Sequence, residues 1–327
     1  MNKISIVLPL FNEEGNIELI VEKLRTIFEK IPDILFEIIF VDDGSTDHTL
    51  EVLMNYSEKS KYISYIRLSR NFGKDNALMA GISYSEADAV ITMDGDLQHP
   101  PEVISELVYF WRQGFEVVYT YRKDKNPGAG LFNRIRSDLF YKAVNALSDV
   151  HMEAGLSDYK LIDRKVMDVI LALSEDKPFL RGIIKWVGFR QKALKYVPNE
   201  RLKGKTKYSL YKLARLATHG LASFSTKPLI FAIYLGFIFS FVSILYIPYV
   251  LISLYYHWAR SGWASVIVSI AFFSGIQLVI MGIIGLYLGK TFIQVKNRPT
   301  YIIQSTSIPF KKPNRKEGQQ IIDNDKP

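Results

Sequence analysis

Residues 228–256 and 261–289 contain no Asp, Glu, Lys or Arg. Each run is about 29 residues long, and about 20 predominantly apolar residues suffice to cross the hydrocarbon core of a bilayer. A helix buried in a soluble core is usually shorter and keeps a polar stripe. Two transmembrane helices are therefore expected, at 228–256 and 263–289, joined by a linker at 257–262. Pro248 should kink or tilt the first without ending it. Gly275, Gly282, Gly285 and Gly289 fall mostly at helical spacing in the second, which suits close helix approach. Lys and Arg crowd both flanks of this pair, whereas the linker holds only Arg260, so both termini are expected in the cytoplasm. Tyr255, Tyr256, Trp258 and Trp263 would form an aromatic belt at the outer interface.

The charge distribution is not that of a uniformly basic nucleic-acid binder. The formal net charge of +8 hides a net of about −9 over residues 1–180 and about +11 over 181–227. Thus an acidic front domain (1–200) meets a basic juxtamembrane segment (201–227), and a basic tail (290–327) ends in a polar stretch expected to be disordered. Helical spacing of Leu210, Leu213, Leu216, Ala217 and Leu221 predicts an amphipathic interfacial helix at 208–225. Ile135, Leu139, Phe140, Val144 and Leu147 predict a second amphipathic helix at 133–149, for the interface or for core packing. The chain has no cysteine, which excludes disulfides and thiolate metal sites. Its first residues read as a strand, so no cleavable secretion signal is expected.

The front domain alternates near-continuous apolar runs (4–10, 36–41, 63–68, 89–93, 115–121) with helical patterns (15–30, 47–59, 75–84, 102–112). That alternation predicts an α/β domain with a mainly parallel sheet covered on both faces. Ligands of such sheets sit beyond the carboxyl ends of the strands. There the sequence places Pro9-Leu10-Phe11-Asn12-Glu13, Asp42-Asp43-Gly44-Ser45-Thr46-Asp47, Arg70-Asn71-Phe72-Gly73-Lys74 and Asp94-Gly95-Asp96-Leu97-Gln98. Any one acidic loop is ordinary capping chemistry; four in succession at one edge are not. Two carboxylates one residue apart suit a hard divalent cation that also binds phosphate oxygens. Neither a P-loop nor a dinucleotide fingerprint is present. The histidines, His48, His99, His151 and His219 among them, follow no ligand spacing and read as ordinary polar or loop residues.

In combination and order these motifs resemble the family 2 glycosyltransferases of GT-A fold, and within them the polyprenyl-phosphate branch that includes bactoprenol glucosyltransferases and dolichol-phosphate mannosyltransferases. The resemblance runs over about residues 4–300. It also takes in Tyr121-Arg122-Lys123-Asp124, Ser157-Asp158-Tyr159-Lys160-Leu161 and Arg201 to Tyr208. It implies that Pro9, Phe11, Glu13, Asp42 and Asp43 line the nucleoside pocket, with Asp42 accepting from uracil. Asp94 and Asp96 would hold Mg²⁺ or Mn²⁺, with Asp96 the main ligand. Gln98 would lie near the donor sugar, and Lys74 would bind substrate. Arg122, Arg201 and Lys207 would contact the donor diphosphate or the lipid phosphate. Asp158 would take the acceptor-side acidic position, as orienter or weak base. Gly95 stands where the family often has Ala, and Leu156-Ser157-Asp158-Tyr159-Lys160 replaces a frequent Gly-Asp-Phe-Arg version.

The resemblance further implies inverting transfer of one sugar from a UDP-sugar, glucose or N-acetylglucosamine, to undecaprenyl phosphate at the bacterial cytoplasmic membrane. Such a lipid-linked sugar would serve cell-envelope glycan modification. It implies membrane lipid as a further partner, no nucleic acid, and a homo-oligomer, tetrameric in related enzymes. Two alternatives stand beside it. A processive polysaccharide synthase would need more spans and a Gln-x-x-Arg-Trp signature, which the segment from Arg181 to Trp186 does not match. A catalytically dead membrane scaffold would have no need for the intact Asp42, Asp94 and Asp96.

Overall fold

The computed structural model describes residues 1–122, 155–173, 179–199, 225–256 and 262–309. Arg201, Lys207, the helix expected at 133–149, most of that at 208–225, nearly all of the 257–262 linker and the end of the tail lie outside the described residues. The described residues form two compact units. One takes in residues up to 199 together with 297–309, and the other takes in 225–296.

In the first unit, strands β1 (Asn2–Leu10), β2 (Ile34–Asp42), β3 (Ile63–Leu68) and β4 (Ala89–Thr92) alternate with helices α1 (Ile17–Glu29), α2 (Thr49–Lys59) and α3 (Lys74–Tyr84). Helix α4 (Val103–Arg112), strand β5 (Val117–Arg122), strand β6 (Leu156–Asp163), helix α5 (Arg164–Ala172), helix α6 (Leu180–Trp186) and strand β7 (Gln191–Tyr196) follow. Strand β8 (Ile303–Thr306) comes from the stretch expected to be tail. The sheet runs β7-β5-β6-β4-β1-β2-β3-β8. Strands β3, β2, β1 and β4 are mutually parallel. Strand β6 runs antiparallel to both β4 and β5, and β8 antiparallel to β3.

The core explains why the first strands read so plainly. Ile4, Ile6, Leu8 and Leu10 point to one face of β1 and Val7 to the other, and all are buried. A strand covered on both faces has no polar alternation to keep. On α1, Ile17, Ile20, Val21, Leu24 and Ile27 are buried, the stripe of a surface helix lying on a sheet.

Two features position the site. The registers Pro9↔Val41, Leu10↔Asp42 and Val7↔Thr92 bring the ends of β1, β2 and β4 to one edge. Because β6 is antiparallel and pairs Lys160 with Thr92, the start of β6 lies at that same edge. Asp158 therefore reaches it from a strand of opposite direction.

In the second unit, α7 (Lys227–Tyr255) continues through Pro248, and α8 (Trp263–Val295) extends past Lys290. Their apolar side chains are largely exposed, Phe237, Val268, Leu278 and Leu288 among them. Among the described residues one helix is long and apolar enough to cross a membrane by length and composition, over Val268–Val295. The apolar stretch that meets a shorter criterion in α7 is Lys227–Val242. The two helices meet through Phe239 and Phe273, rings 5.4 Å apart and edge-to-face. A Cβ added at Gly275, Gly282, Gly285 or Gly289 would meet nothing within 4 Å. Among the described residues, the close approach expected of these glycines is thus not made between α7 and α8.

Candidate active site

The turns after β2 and β4 are each closed by their own carboxylate. After β2, Asp42 Oδ1 accepts the Ser45 N–H at 2.9 Å, and Gly44 takes φ 71°. A Cβ at Gly44 would lie 2.5 Å from the Arg70 backbone, so glycine is required there twice over. After β4, Asp96 Oδ1 accepts the Gln98 N–H at 3.1 Å, with Leu97 left-handed at φ 60°. The β1 exit is laced to the β2 turn: Asn12 N–H donates to Ser45 Oγ at 2.9 Å and Asn12 Oδ1 accepts Thr46 N–H at 2.8 Å. Glu13 N–H donates to Thr49 Oγ1 at 3.0 Å. Phe11 is exposed beside this lacing.

Asp43 turns the other way. Its two oxygens accept the N–H groups of Phe72 (2.7 Å) and Gly73 (3.0 Å), pinning the loop that delivers Lys74 to the start of α3. Burial pushes its carboxyl above the ordinary value despite these bonds. Asp42 has no exposed surface. Its Oδ2 lies 3.8 Å from Arg67 Nε, and neither atom has a hydrogen-bond partner among the described residues.

Donor-side and acceptor-side expectations meet at Lys74. Its Nζ lies 2.5 Å from Asp94 Oδ1 and 2.7 Å from Asp158 Oδ2. Asp158 is further clasped by Arg181, whose Nε and a terminal nitrogen donate at 2.6 and 2.7 Å. Lys160 Nζ lies 3.9 Å from the same carboxylate. These cations hold the Asp158 carboxyl well below the usual range although burial acts against it. Lys160 is 1% exposed, and burial lowers its ammonium to about 8. Asp75, half-buried near Asp158, is raised to about 6 by desolvation and by that neighbouring carboxylate. Gln98 is tied in by Arg122, a guanidinium nitrogen of which donates to Gln98 Oε1 at 3.2 Å.

Of the residues singled out from sequence, Lys74, Asp94 and Asp158 are in direct contact, and Asp96, Gln98 and Arg122 form a second chain of contacts. Pro9, Phe11, Glu13, Asp42 and Asp43 frame the β1–β2 side. Four functional candidates had escaped. Lys160 belongs to the antiparallel strand β6, whose pairing no local pattern announces, and Arg181 to helix α6, which reaches Asp158 from 23 residues along the chain. Asp75 follows Lys74 directly, and that adjacency was the available signal. His99 is not an ordinary loop histidine: it is 1% exposed, and its Nδ1 accepts the Asp94 backbone N–H at 2.9 Å. Burial lowers its pKa. Its place right after Gln98 in the acidic loop was the clue.

Among the described residues no group of three or more His, Cys, Asp or Glu gathers to hold a metal. Mg²⁺ and similar ions take one or two carboxylates and complete their shell with phosphate oxygens and water. Asp94 and Asp96 match that donor set, and Asp94 Oδ1 already holds a cation, the Lys74 ammonium at 2.5 Å. The residues present therefore fit a divalent cation. Gly95 between them packs against β1: an added Cβ would lie 2.1 Å from Leu10 Cδ2, the movable end of a side chain.

The family model for glycosyl transferase family 2 matches residues 5–171. YkcC of Bacillus subtilis (strain 168), described as an uncharacterized glycosyltransferase, is 40% identical over 303 residues, 92% of this chain and 93% of its own. A prophage bactoprenol glucosyl transferase homolog of Escherichia coli (strain K12) is 37% identical over 303 residues, 92% of this chain and 98% of that protein. The bactoprenol glucosyl transferase of Shigella phage SfII is 37% identical over 305 residues, 93% of this chain and 98% of that protein. A parallel sheet with acidic turns at one edge, entered by an antiparallel strand carrying Asp158, is the GT-A-like domain this match implies. The chain belongs to glycosyltransferase family 2 and is a glycosyltransferase.

Proposed function

We propose that the chain transfers one sugar, glucose or N-acetylglucosamine, from its UDP derivative to a polyprenyl phosphate such as undecaprenyl phosphate, with inversion at the anomeric carbon. The observation that carries this is the Lys74 bridge between Asp94 and Asp158 with Arg181 on the far side. Two cations stand beside a metal-competent carboxylate, as a reaction between two phosphate-bearing substrates requires. The bactoprenol glucosyl transferases, similar along nearly their whole length, support the lipid acceptor.

The nucleoside would lie along the exit of β1, where Phe11 is exposed beside Pro9 and Glu13, with the fully buried Asp42 beneath it. Lys74 and Arg122 take the diphosphate, and Gln98, held by Arg122, faces the sugar. A bound Mg²⁺ or Mn²⁺ on Asp94 and Asp96 would neutralise charge building on the departing UDP. The acceptor phosphate has a second pKa near 6, so its attacking oxygen is already ionised at neutral pH. It forms the new bond to the anomeric carbon as the bond to UDP breaks, and UDP departs with the electron pair. No strong base is needed. Asp158, held ionised by Arg181 and Lys74, is a poor one, and its role is to hold those cations toward the acceptor. Arg201 and Lys207 join them by family resemblance. Both uncharged helices span the bacterial cytoplasmic membrane, with the catalytic unit and both termini inside, and the protein assembles as a homo-oligomer.

The test incubates purified protein in detergent with undecaprenyl phosphate, Mg²⁺ or Mn²⁺ and a panel of UDP-sugars, and reads lipid masses. A gain of a single hexose or N-acetylhexosamine is expected. No product with any donor, or a ladder of sugars, overturns the proposal. Asp96→Asn should lower turnover by about 10²–10³-fold, and retention of near-normal transfer in saturating metal would remove Asp96 from its metal role.

A further inference from the structure

Among the described residues His99 is the histidine built into the site, and it is bonded at both ring nitrogens. Nδ1 accepts the Asp94 N–H at 2.9 Å, and Nε2 lies 2.8 Å from Ser157 Oγ. A neutral imidazole whose Nδ1 accepts carries its proton on Nε2, so Nε2–H donates to Ser157. Ser157 Oγ also receives the Tyr159 N–H at 3.3 Å, which leaves its own hydrogen for Tyr196 Oη at 3.1 Å. The ring is fixed in plane as well: it stacks on Tyr159 at 4.9 Å and meets Tyr196 edge-on at 5.8 Å. One side chain thus ties together the turn after β4, the start of β6 and the end of β7.

We infer that His99 is a positioning residue: a rigid spacer that sets the distance between the Asp94–Asp96 turn and Asp158. One ring nitrogen holds the backbone of Asp94, and the other holds Ser157, the residue immediately before Asp158. The inference rests on the transfer reaction proposed above, in which the turn grips the donor and Asp158 organises the acceptor-side cations. Substrates held on separate strands react only at a set spacing, and a shift of about 1 Å can cut the rate about 10²-fold. A histidine that merely filled the core would need its ring shape and neither hydrogen bond.

Two substitutions separate the two ends. An Asn side-chain oxygen falls near the histidine Nδ1 position, so His99→Asn keeps the Asp94 contact and loses Ser157. A Gln amide nitrogen reaches toward the Nε2 position, so His99→Gln keeps Ser157 and loses Asp94. With Mn²⁺ present, His99→Asn should bind UDP within about threefold of wild type while kcat falls by about 10–100-fold, and Ser157→Ala should behave alike. His99→Gln should weaken UDP binding by about tenfold or more. Calorimetric titration of UDP, steady-state kcat and KM, and thermal unfolding are measured on the full-length protein in detergent. Parallel losses in both variants that track the fall in Tm would reduce His99 to a structural role and overturn the inference, as would the absence of any loss. Wild-type protein that binds UDP but transfers no sugar would sink the transfer reading alone, and the affinity contrast would still decide for His99.

Discussion

Asp43 and Asp158 are equally buried, each 4% exposed, and each uses both carboxylate oxygens. Asp43, in the parallel half of the sheet, spends its oxygens on the backbone amides of Phe72 and Gly73. Asp158, on the antiparallel return, spends its oxygens on Arg181 and Lys74. Burial raises the first carboxyl, and full charges hold the second far below the ordinary range. Two neutral dipoles position a loop without outweighing desolvation, whereas two cations more than offset it. The parallel half therefore uses its acid to shape the scaffold. The antiparallel half uses its acid to hold positive charge at the edge where, in the proposed reaction, the phosphates would meet.

The sharpest way to break this contrast is Arg181→Met. It leaves Asp158 buried with Lys74 as its close partner and should destabilise the protein by about 3 kcal/mol, the low end for a broken buried pair because the guanidinium is partly exposed. Thermal unfolding in detergent reads this directly. Stability within about 0.5 kcal/mol of wild type would mean that Arg181 does not hold Asp158, and the charge-storage account would go with it.

The same contrast governs how much could be read from sequence. Strands β1 to β4 are continuous apolar runs ended by Asp, Gly and Ser, and their boundaries were expected to within about two residues. Their turns carry acidic motifs because the strand ends converge. Strand β6 was visible only as the motif around Asp158. Its buried positions include Ser157, Asp158 and Lys160, so no apolar run marks it. Strand β7 carries Lys192 and Lys195 with only Leu194 and Tyr196 buried, as expected of an edge strand. The four residues of β8 pair with β3 from far along the chain, a contact no local window contains. Arg181 and His99 were missed for a related reason: each meets its partner through a contact distant in sequence, Arg181 from helix α6 to Asp158 and His99 from the turn after β4 to Ser157. The uncharged runs were legible as helices, but what covers their exposed apolar faces is not encoded in periodicity.

Asp75 offers a smaller test of the charge cluster. It faces Asp158, Lys160, Arg181 and Lys74, and burial raises its folded pKa to about 6, above the ordinary 3.8. A carboxyl raised on folding binds its proton more tightly in the native state. Its contribution to stability is thus complete below about pH 4 and is lost as pH rises through about 6. Asp75→Asn should remove that slope, so the stability gap between variant and wild type should widen by about 2 kcal/mol from pH 4.5 to pH 7.5. Parallel curves for the two proteins would show that Asp75 ionises freely and lies outside the cluster.

Asp43→Asn should produce the smallest effect, and it tests the scaffold side. Asn retains one acceptor oxygen but turns an NH₂ toward a backbone N–H, so one of the two loop bonds is lost and a buried donor faces a donor. A neutral bond of this kind is worth about 1 kcal/mol, rising to about 2 when the orphaned group stays buried. The loop from Arg70 to Gly73 should loosen, and because it feeds Lys74 into the site, UDP affinity should fall by a few-fold (about 3-fold for 0.7 kcal/mol) with Asp158 still ion-paired to Arg181. If Asp43→Asn instead destabilises the protein more than Arg181→Met, backbone amides outweigh the guanidinium as partners of a buried acid, and the division of labour between the two halves is reversed.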